Sequence, residues 1–377
     1  MKLAFLGDAI EMHLFRWARS FVGLGHEVHV ITWNTQVLDG YHPAVVHRVA
    51  KPMVGDHGIA RGINLFRMKP AIQRLIREIK PDLIHAHGAG AYAWMAMFSG
   101  FRPFMITPWG SDVLIDVNSH AIARFFTKRA VRRADWLHCE GENTKEALVC
   151  LGADPRKILV MPFGVDLEKF APGERPCGFI ERHGLAGTKV VVSTRTLNPI
   201  HDVETVVRAA SLVLQKEPDV RFLIVGDGTE RTSLRNLAES LGIGGSLVFV
   251  GRVKEEEMVD CLRASDVYVS TSLSESGTAL STAEAMACGL PVINTDTGDI
   301  RMWLKDGEGG YVVPVRNPTA IAGRILHLMH HADERERAGK MNRQLMEDRY
   351  DVRVMMQQME ALYGRLITQQ GARGVSP

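Results

Sequence analysis

The chain of 377 residues is poor in cysteine and has no long apolar run suited to a membrane helix. Its five cysteines form no CxxC pair, which argues against a disulfide framework or cysteine-rich zinc module and favours a reducing compartment. The uncharged stretch at residues 83–101 contains histidine, glycine and serine, so it is predicted to form a strand, a turn and a buried helix. Too few apolar residues follow Lys2 for a signal peptide, and we expect a cytoplasmic protein.

Several nucleotide and metal motifs are also missing. The first predicted strand is not followed by GxGxxG, which disfavours a dinucleotide oxidoreductase, and neither a P-loop nor a GxSxG elbow occurs. The chain has no DxD pair that could hold a metal through carboxylates. His85 and His87 share one face of a strand, but no further ligands stand at suitable spacing, so no metal site is predicted.

The composition, 46% apolar and 23% charged, is typical of globular proteins, and the length predicts two domains. The net charge of +2 conceals an excess of +6 in residues 1–165 and of −4 in the remainder. Basic side chains concentrate at residues 61–80 and 124–133, as solvated helix faces or as a surface for an anionic partner. Nucleic acid is not expected, because no recognisable nucleic-acid module is present.

Short β-branched runs alternate with segments of helical period in both halves of the chain. Strands are predicted at residues 3–6, 28–31, 82–85, 104–107, 190–193, 221–225, 247–250 and 266–270. Helices are predicted at residues 203–214 and, as a long helix, from residue 282. This alternation predicts an α/β fold of two doubly wound parallel-sheet domains, divided in the Pro/Gly-rich stretch 163–187.

The most informative segment is residues 274–293, in which a small-residue loop leads to a helix predicted to begin near Leu280 or Ser281. Amides at a helix N-terminus reached through a glycine-containing loop can bind phosphate. Glu284, one turn into that helix, can reach ribose hydroxyls. The alternative is that Glu284 caps backbone amides and the loop binds nothing.

Residues 284–293, EAMACGLPVI, resemble the E-x7-E…AMAxGxPV signature of the GT-B retaining glycosyltransferases of family 4. The resemblance continues in order at residues 25–28, 85–87, 162–166 and 306–314. It implies two Rossmann-like domains facing across a cleft. Residues 1–165 would bind the acceptor and residues 166–350 the nucleotide sugar, while 351–377 would form a helix packing back on the N-terminal domain and a loose tail.

The first departure from the family pattern concerns its first glutamate, which lies near the donor sugar. Ser276 stands at that position and Glu275 one residue earlier. Either Glu275 takes over through a shifted loop, or Ser276 and backbone amides hold the sugar. We prefer the second register, which aligns four residues with the phosphate-contacting stretch of the family: Gly277, Thr278, Ala279 and Leu280.

The second departure concerns the cations that grip the diphosphate. Arg195 supplies a fixed charge, but His201 stands where the family has lysine and would be only partly charged unless the diphosphate raises its pKa. The alternative for His201 is a hydrogen bond at a helix start. Arg252 is a second candidate cation, and the backbone of Val253 is implied to contact the base. Uridine is favoured over guanosine.

The third departure lies in residues 107–112, which resemble the family's TxHGxD loop with Trp109 in place of histidine. Trp109 either packs between the domains or stacks on a sugar. Asp112 is the best acidic candidate, so the predicted catalytic positions are Trp109, Asp112, Glu275 and Ser276. Residues predicted to line the acceptor cleft are Asp8, His85 and His87.

Together these features predict a metal-independent retaining glycosyltransferase that moves a sugar from a nucleotide diphosphate to a hydroxyl of a sugar or lipid-linked acceptor. The expected process is assembly of cell-surface polysaccharide or glycoconjugate. Basic helices, with Phe125 and Phe126, are predicted to contact the inner face of the membrane peripherally. The alternatives are a sugar-nucleotide epimerase or phosphorylase of the same fold, or a catalytically inactive sugar-nucleotide-binding subunit.

Overall fold

The computed structural model describes residues 1–49, 59–118 and 121–373, which form two compact units. The first comprises Met1–Pro162 together with the chain from Val354, and the second comprises Phe163–Arg353. These divisions fall within three residues of the expected boundaries at 165 and 350. The end of the expected tail, residues 374–377, lies outside the described part.

The first unit contains a seven-stranded parallel sheet in the order β3-β2-β1-β4-β5-β6-β7. Its strands are β1 (Lys2–Leu6), β2 (Glu27–Thr32), β3 (Val45–Arg48), β4 (Leu83–His87), β5 (Phe104–Thr107), β6 (Trp136–Cys139) and β7 (Ile158–Val160). Its helices are α1 (Met12–Gly23), α2 (Ile59–Ile79), α3 (Ala91–Ser99), α4 (Ser111–Leu114), α5 (Ala121–Arg133) and α6 (Glu142–Cys150).

The second unit contains a six-stranded parallel sheet in the order β10-β9-β8-β11-β12-β13. Its strands are β8 (Lys189–Ser193), β9 (Val220–Val225), β10 (Leu247–Gly251), β11 (Val267–Ser270), β12 (Val292–Thr295) and β13 (Gly310–Val313). Its helices are α7 (Cys177–Arg182), α8 (Val203–Leu214), α9 (Arg231–Ser240), α10 (Glu255–Arg263), α11 (Leu280–Ala287), α12 (Ile300–Trp303), α13 (Pro318–His330) and α14 (Ala332–Arg349). A last helix, α15 (Val352–Arg373), continues into the first unit.

The predicted class of two doubly wound α/β domains is confirmed. The central strands β4 and β11 are buried along their whole length, as parallel strands covered on both faces must be. Residues 83–101 form β4, a turn and α3, as predicted, and no helix in the described ranges is long and apolar enough to cross a membrane. The predicted long helix from residue 282 is wrong. α11 has eight residues, because Gly289 follows it at a positive φ of 77°.

A directed chain of hydrogen bonds ties α15 to the sheet of the first unit. The Trp17 indole donates to the Tyr363 hydroxyl at 3.1 Å, and that hydroxyl donates to His85 Nδ1 at 2.5 Å. The chain continues through Thr107 and His138 Nδ1 at 2.6 and 3.1 Å and ends on the Met161 carbonyl at 2.7 Å. Because an indole only donates and a carbonyl only accepts, every proton in the chain has one orientation.

The hydrogen bonds from Trp17 to Met161 show that the sequence-based prediction for His85 is wrong. Its side chain is fully buried and uses both ring nitrogens within the core, so His85 does not line an acceptor surface. Burial holds the pKa of His85 well below its usual range, and burial lowers the pKa of His138 to about 4. Both imidazoles are therefore neutral structural groups.

Candidate functional site

Arg195 is the centre of a polar cluster at the carboxyl edge of the second sheet. It lies two residues beyond β8, and its side chain is only 10% exposed. One guanidinium nitrogen, Nη1, donates to Ser281 Oγ of α11 at 2.8 Å. The other, Nη2, donates to His201 Nδ1 at 2.8 Å and forms an ion pair with Glu275. The loop after β8 and the loop after β11, with the start of α11, thus meet at one guanidinium.

His201 is a neutral hydrogen-bond acceptor in this cluster. It ends the short 3-10 helix Pro199–His201, just before α8, and Ser272 Oγ also lies 3.1 Å from its Nδ1. Burial, and next the charge of Arg195, lower the pKa of His201 to about 3. The predicted partial charge on His201 is therefore wrong for this structure, which shows the hydrogen-bonding alternative.

The loop that carries Arg195 is hydrogen-bonded to the neighbouring loop, which follows β9. Leu197 N donates to Asp227 O at 3.0 Å, and Glu230 N donates to Leu197 O at 2.9 Å. A Cβ atom at Gly226 would lie 2.3 Å from the carbonyl oxygen of Arg195, so only glycine fits there. The cluster is preorganised by backbone contacts rather than by the side chains alone.

The loop between β11 and α11 is lined with buried polar groups. Ser276 and Thr278 are buried, and Gly277 has a positive φ of 70°. Within the described part of the chain, Thr278 Oγ1 and Arg195 Nε have no hydrogen-bond partner. Leaving such atoms unsatisfied costs free energy that a polar ligand would recover.

Helix α11 starts directly after this loop, at Leu280 as predicted, with Ala279 as its N-cap residue. Glu284 lies one turn into this helix and is only 5% exposed. The amides at this helix start and the Arg195 guanidinium place hydrogen-bond donors side by side. Such an arrangement favours an anionic oxygen ligand.

The predicted Arg252 and Val253 positions lie in a separate loop, which follows β10 at the carboxyl edge of the same sheet. Arg252 follows β10 and is exposed, whereas Val253 is partly buried against the core. None of the contacts described for the Arg195 guanidinium involves Arg252. Arg195 is thus the cation that the fold places at the loop before α11.

In the first unit, Asp112 joins two loops at the carboxyl edge of the sheet. One carboxylate oxygen accepts from the amides of Trp109 and Gly110, both at 3.1 Å, and the other accepts from Ala89 N at 2.6 Å. Burial raises the pKa of Asp112 to about 6, although these amides oppose the shift. Both carboxylate oxygens of Asp112 are therefore occupied by hydrogen bonds from backbone amides.

Trp109 lies among aromatic rings of its own unit. Its ring centroid is 5.0 Å from that of His13 and 5.5 Å from that of His87. His87 is 1% exposed, and neither ring nitrogen has a partner among the described residues. The prediction that the His87 side chain lines the acceptor cleft is therefore wrong for this structure, in which that side chain is buried. Asp8 is half-buried and accepts from Asn34 Nδ2 at 2.9 Å.

Sequence reasoning missed several residues that contact Arg195 in the second unit or Trp109 in the first unit. Ser281 accepts from Arg195 and from the Tyr268 hydroxyl, the latter at 3.0 Å, and its place at the predicted helix start could have revealed it. Tyr268 lies in the buried strand β11 and Ser272 follows that strand, so the apolar sequence pattern did not indicate a polar role for either residue. His13 lies on α1 and gave no signal either.

Two doubly wound units, one with a buried arginine beside a helix start, define a class of two-domain α/β protein suited to phosphate-bearing ligands. Comparison with known proteins makes this specific. Residues 179–345 match the family model "Glycosyl transferases group 1", and residues 2–140 match "Glycosyl transferase 4-like". Residues 179–345 thus belong to the group 1 glycosyltransferase family, residues 2–140 match a related glycosyltransferase model, and the resemblance carried by residues 284–293 is confirmed.

Curated relatives named D-inositol 3-phosphate glycosyltransferase align with much of the chain. The protein of Geodermatophilus obscurus is 32% identical over 65% of this chain and 58% of its own length. That of Catenulispora acidiphila is 33% identical over 65% of this chain and 62% of its own length. That of Mycolicibacterium vanbaalenii is 29% identical over 86% and 78%. The aligned region thus spans less than two thirds of the first two relatives.

Solved structures show the same fold at low sequence identity. The sucrose-phosphate synthase of Thermosynechococcus elongatus matches with a TM-score of 0.84 and 19% identity over 98% of this chain and all of its own. Anabaena HepE, in complex with UDP and glucose, matches with a TM-score of 0.82 and 19% identity over 97% of this chain and all of its own. These likenesses confirm the fold class.

Proposed function

We propose that the protein transfers a glycosyl group from a nucleoside diphosphate sugar to an acceptor hydroxyl, with retention at the anomeric carbon. The proposal rests above all on the Arg195 cluster, since it supplies a buried, fixed positive charge at the loop before α11. A guanidinium forms paired hydrogen bonds with phosphate oxygens, and its charge persists at any working pH.

The charge balance of the cluster indicates how a diphosphate would bind. His201 is neutral, so Arg195 carries the positive charge and Glu275 compensates it. A diphosphate would compete with Glu275 for Arg195 while satisfying Arg195 Nε and Thr278 Oγ1. The amides at the start of α11 add donors for the same oxygens.

The proposed chemistry is front-face displacement. Arg195 and the helix amides stabilise charge on the leaving phosphate, and a phosphate oxygen accepts the proton of the acceptor hydroxyl. Glu275 is held by Arg195, which disfavours its use as a nucleophile that forms a covalent intermediate. No step in this route calls for a metal ion.

The donor is proposed to be a UDP-sugar. Anabaena HepE was solved in complex with UDP-glucose, and it shares the fold of this chain. Glu284 would bind the ribose hydroxyls from its position one turn into α11. The relatives' name makes D-inositol 3-phosphate one acceptor to test beside sugars and lipid-linked sugars.

Calorimetric titration tests donor binding directly. UDP should bind more tightly than GDP, and Arg195→Met should weaken UDP by about 1.5–3 kcal/mol, the contribution of a charged hydrogen bond. Arg208→Met, which removes an exposed arginine paired with Glu204, is the matched control and should leave affinity unchanged. Equal UDP affinity in the Arg195 and Arg208 variants would contradict the proposed role of Arg195.

Product analysis separates the alternative functions. Acceptor-dependent release of UDP indicates transfer, whereas a changed donor sugar without acceptor indicates an epimerase. Phosphate-dependent release of sugar 1-phosphate would indicate a phosphorylase. Binding without turnover of any donor would indicate an inactive sugar-nucleotide-binding subunit.

We also propose that the protein works in the cytoplasm, peripherally on the inner face of the membrane, in assembly of a cell-surface glycoconjugate. Helix α5 supports this, since Phe125 is 60% exposed and Arg129 and Arg133 follow on the same face at helical spacing. Phe126 instead packs against Trp94 and Phe98, so the predicted membrane contact is proposed for Phe125 and not for Phe126. In the other basic stretch, residues 61–80, the side chains of residues 61–67 lie outside the described part.

Sedimentation with vesicles of anionic lipid tests membrane contact. Binding should fall at high salt and in an Arg129→Gln/Arg133→Gln variant, because screening and charge removal weaken the same attraction. Arg208→Gln in the second unit is the control and should bind as the wild type does. Salt-independent or undetectable binding would leave α5 a solvated helix.

A further inference from the structure

We propose that His327, His331 and Glu334 form a binding site for a divalent transition-metal ion such as Zn²⁺. One ligand atom of each residue lies within 4.8 Å of the other two, and His327 Nε2 is already 2.8 Å from Glu334 Oε2. Ligand atoms bound to one tetrahedral zinc ion are about 3.3 Å apart, so small side-chain rotations would suffice. Two imidazoles and one carboxylate are a donor set that zinc accepts.

The hydrogen bonds around these residues leave their ligand atoms available to bind a metal ion. His331 Nδ1 donates to the His327 carbonyl oxygen at 2.7 Å, which leaves the lone pair of His331 Nε2 for a metal. The Tyr311 hydroxyl donates to Glu334 Oε1 at 2.5 Å and leaves Oε2 facing His327. Such outer contacts orient metal ligands and set their tautomers.

Charge at the site also suits a cation ligand. The Glu334 carboxylate accepts from the Tyr311 hydroxyl and from His327, so it offers negative charge to a cation. Zn²⁺ would replace the proton that His327 and Glu334 now share. The nearby Arg324, which lies 4.2 Å over the Tyr311 ring, opposes binding through its charge. We therefore expect moderate affinity rather than that of a closed four-ligand site.

The site lies at the opposite sheet edge from the Arg195 cluster. Lys189, the first residue of β8, donates to the Met329 carbonyl oxygen at 2.7 Å, which places the end of α13 at the amino edge. Arg195 lies beyond the other end of the same strand. A metal there would join the end of α13 to the first turn of α14, and it would take no part in sugar transfer.

Zn²⁺ titration of untagged, metal-free protein tests the site. The wild type should bind one equivalent, and His331→Gln should weaken binding at least about tenfold, since it removes an exposed ligand with little effect on folding. His330→Gln is the matched control. It removes the adjacent histidine, whose Nε2 pairs with Glu217 at 2.6 Å, and should bind as the wild type does.

Thermal unfolding provides a second readout. Zn²⁺ should raise the Tm of the wild type and of the His330 variant but not that of the His331 variant, because only folded protein holds the three ligands together. Equal Zn²⁺ affinity in all three proteins would overturn the proposal and point to the exposed thiols of Cys150 and Cys177. No saturable binding by the wild type would overturn it as well.

Discussion

Removing the negative charge of Glu275 should change stability and ligand affinity in opposite directions. The Arg195 and Glu275 side chains are 10% and 14% exposed. Loss of one partner from a fully buried ion pair costs about 3–5 kcal/mol, because the other charge stays uncompensated. Partial exposure and the remaining hydrogen bonds of Arg195 to Ser281 and His201 reduce our expectation for Glu275→Gln to about 2–3 kcal/mol.

A diphosphate would restore the missing negative charge. UDP should therefore bind Glu275→Gln more tightly than the wild type, by about one factor of ten for each 1.4 kcal/mol recovered. Urea denaturation measures the first effect and calorimetric titration the second, on the same preparations. Glu204→Gln is the matched control, because the Glu204–Arg208 pair is about half exposed and should contribute under about 1 kcal/mol.

Turnover of the same variant decides the register of the loop. If Ser276 and the amides that follow it hold the donor sugar, Glu275→Gln should keep most of its activity. Unchanged stability and UDP affinity with a rate loss of about a thousandfold would refute this reasoning. Glu275 would then be the carboxylate that acts on the sugar.

Three further changes test other parts of the structure. Glu284→Ala should weaken UDP binding by about 1–3 kcal/mol in calorimetry, whereas Glu256→Ala on an exposed helix start should not, and equal affinities would leave Glu284 a structural residue. His87→Leu should reduce the acid sensitivity of the first unit. Because burial lowers the pKa of His87 to about 3, the wild type should lose about 2 kcal/mol more than the variant between about pH 7.5 and about pH 5, and parallel pH profiles would contradict this. Tyr363→Phe should cost about 2–4 kcal/mol in urea denaturation because it leaves buried indole and imidazole nitrogens unpaired. Tyr41→Phe removes a buried hydroxyl with no partner among the described residues and should leave stability nearly unchanged. Similar losses of stability in the two variants would argue against the role given to the hydrogen bonds of Tyr363.

Elements with strong local patterns could be predicted closely. β5 and α8 have the predicted bounds, since a continuous apolar run and a clear helical period leave little choice. The strand β3 was missed because it is a short, half-exposed edge strand. The length of α11 was overestimated, since a glycine after a helical pattern was not taken as its end.

The site was harder to predict because it depends on distant contacts. The arginine at position 195 and the helix start near residue 280 followed from local sequence. The pairing of Arg195 with Glu275 joins loops 80 residues apart, and spacing alone carries no information about it. The neutrality of His201 follows from burial beside a cation, which a sequence pattern cannot reveal.

Acceptor-dependent release of UDP from a UDP-sugar is the measurement that tests the central claim most directly. The account predicts release that requires an acceptor hydroxyl, is lost in Arg195→Met and is kept in Arg208→Met. It also predicts a product with the anomeric configuration of the donor. Full turnover by Arg195→Met, or an inverted product, would contradict it.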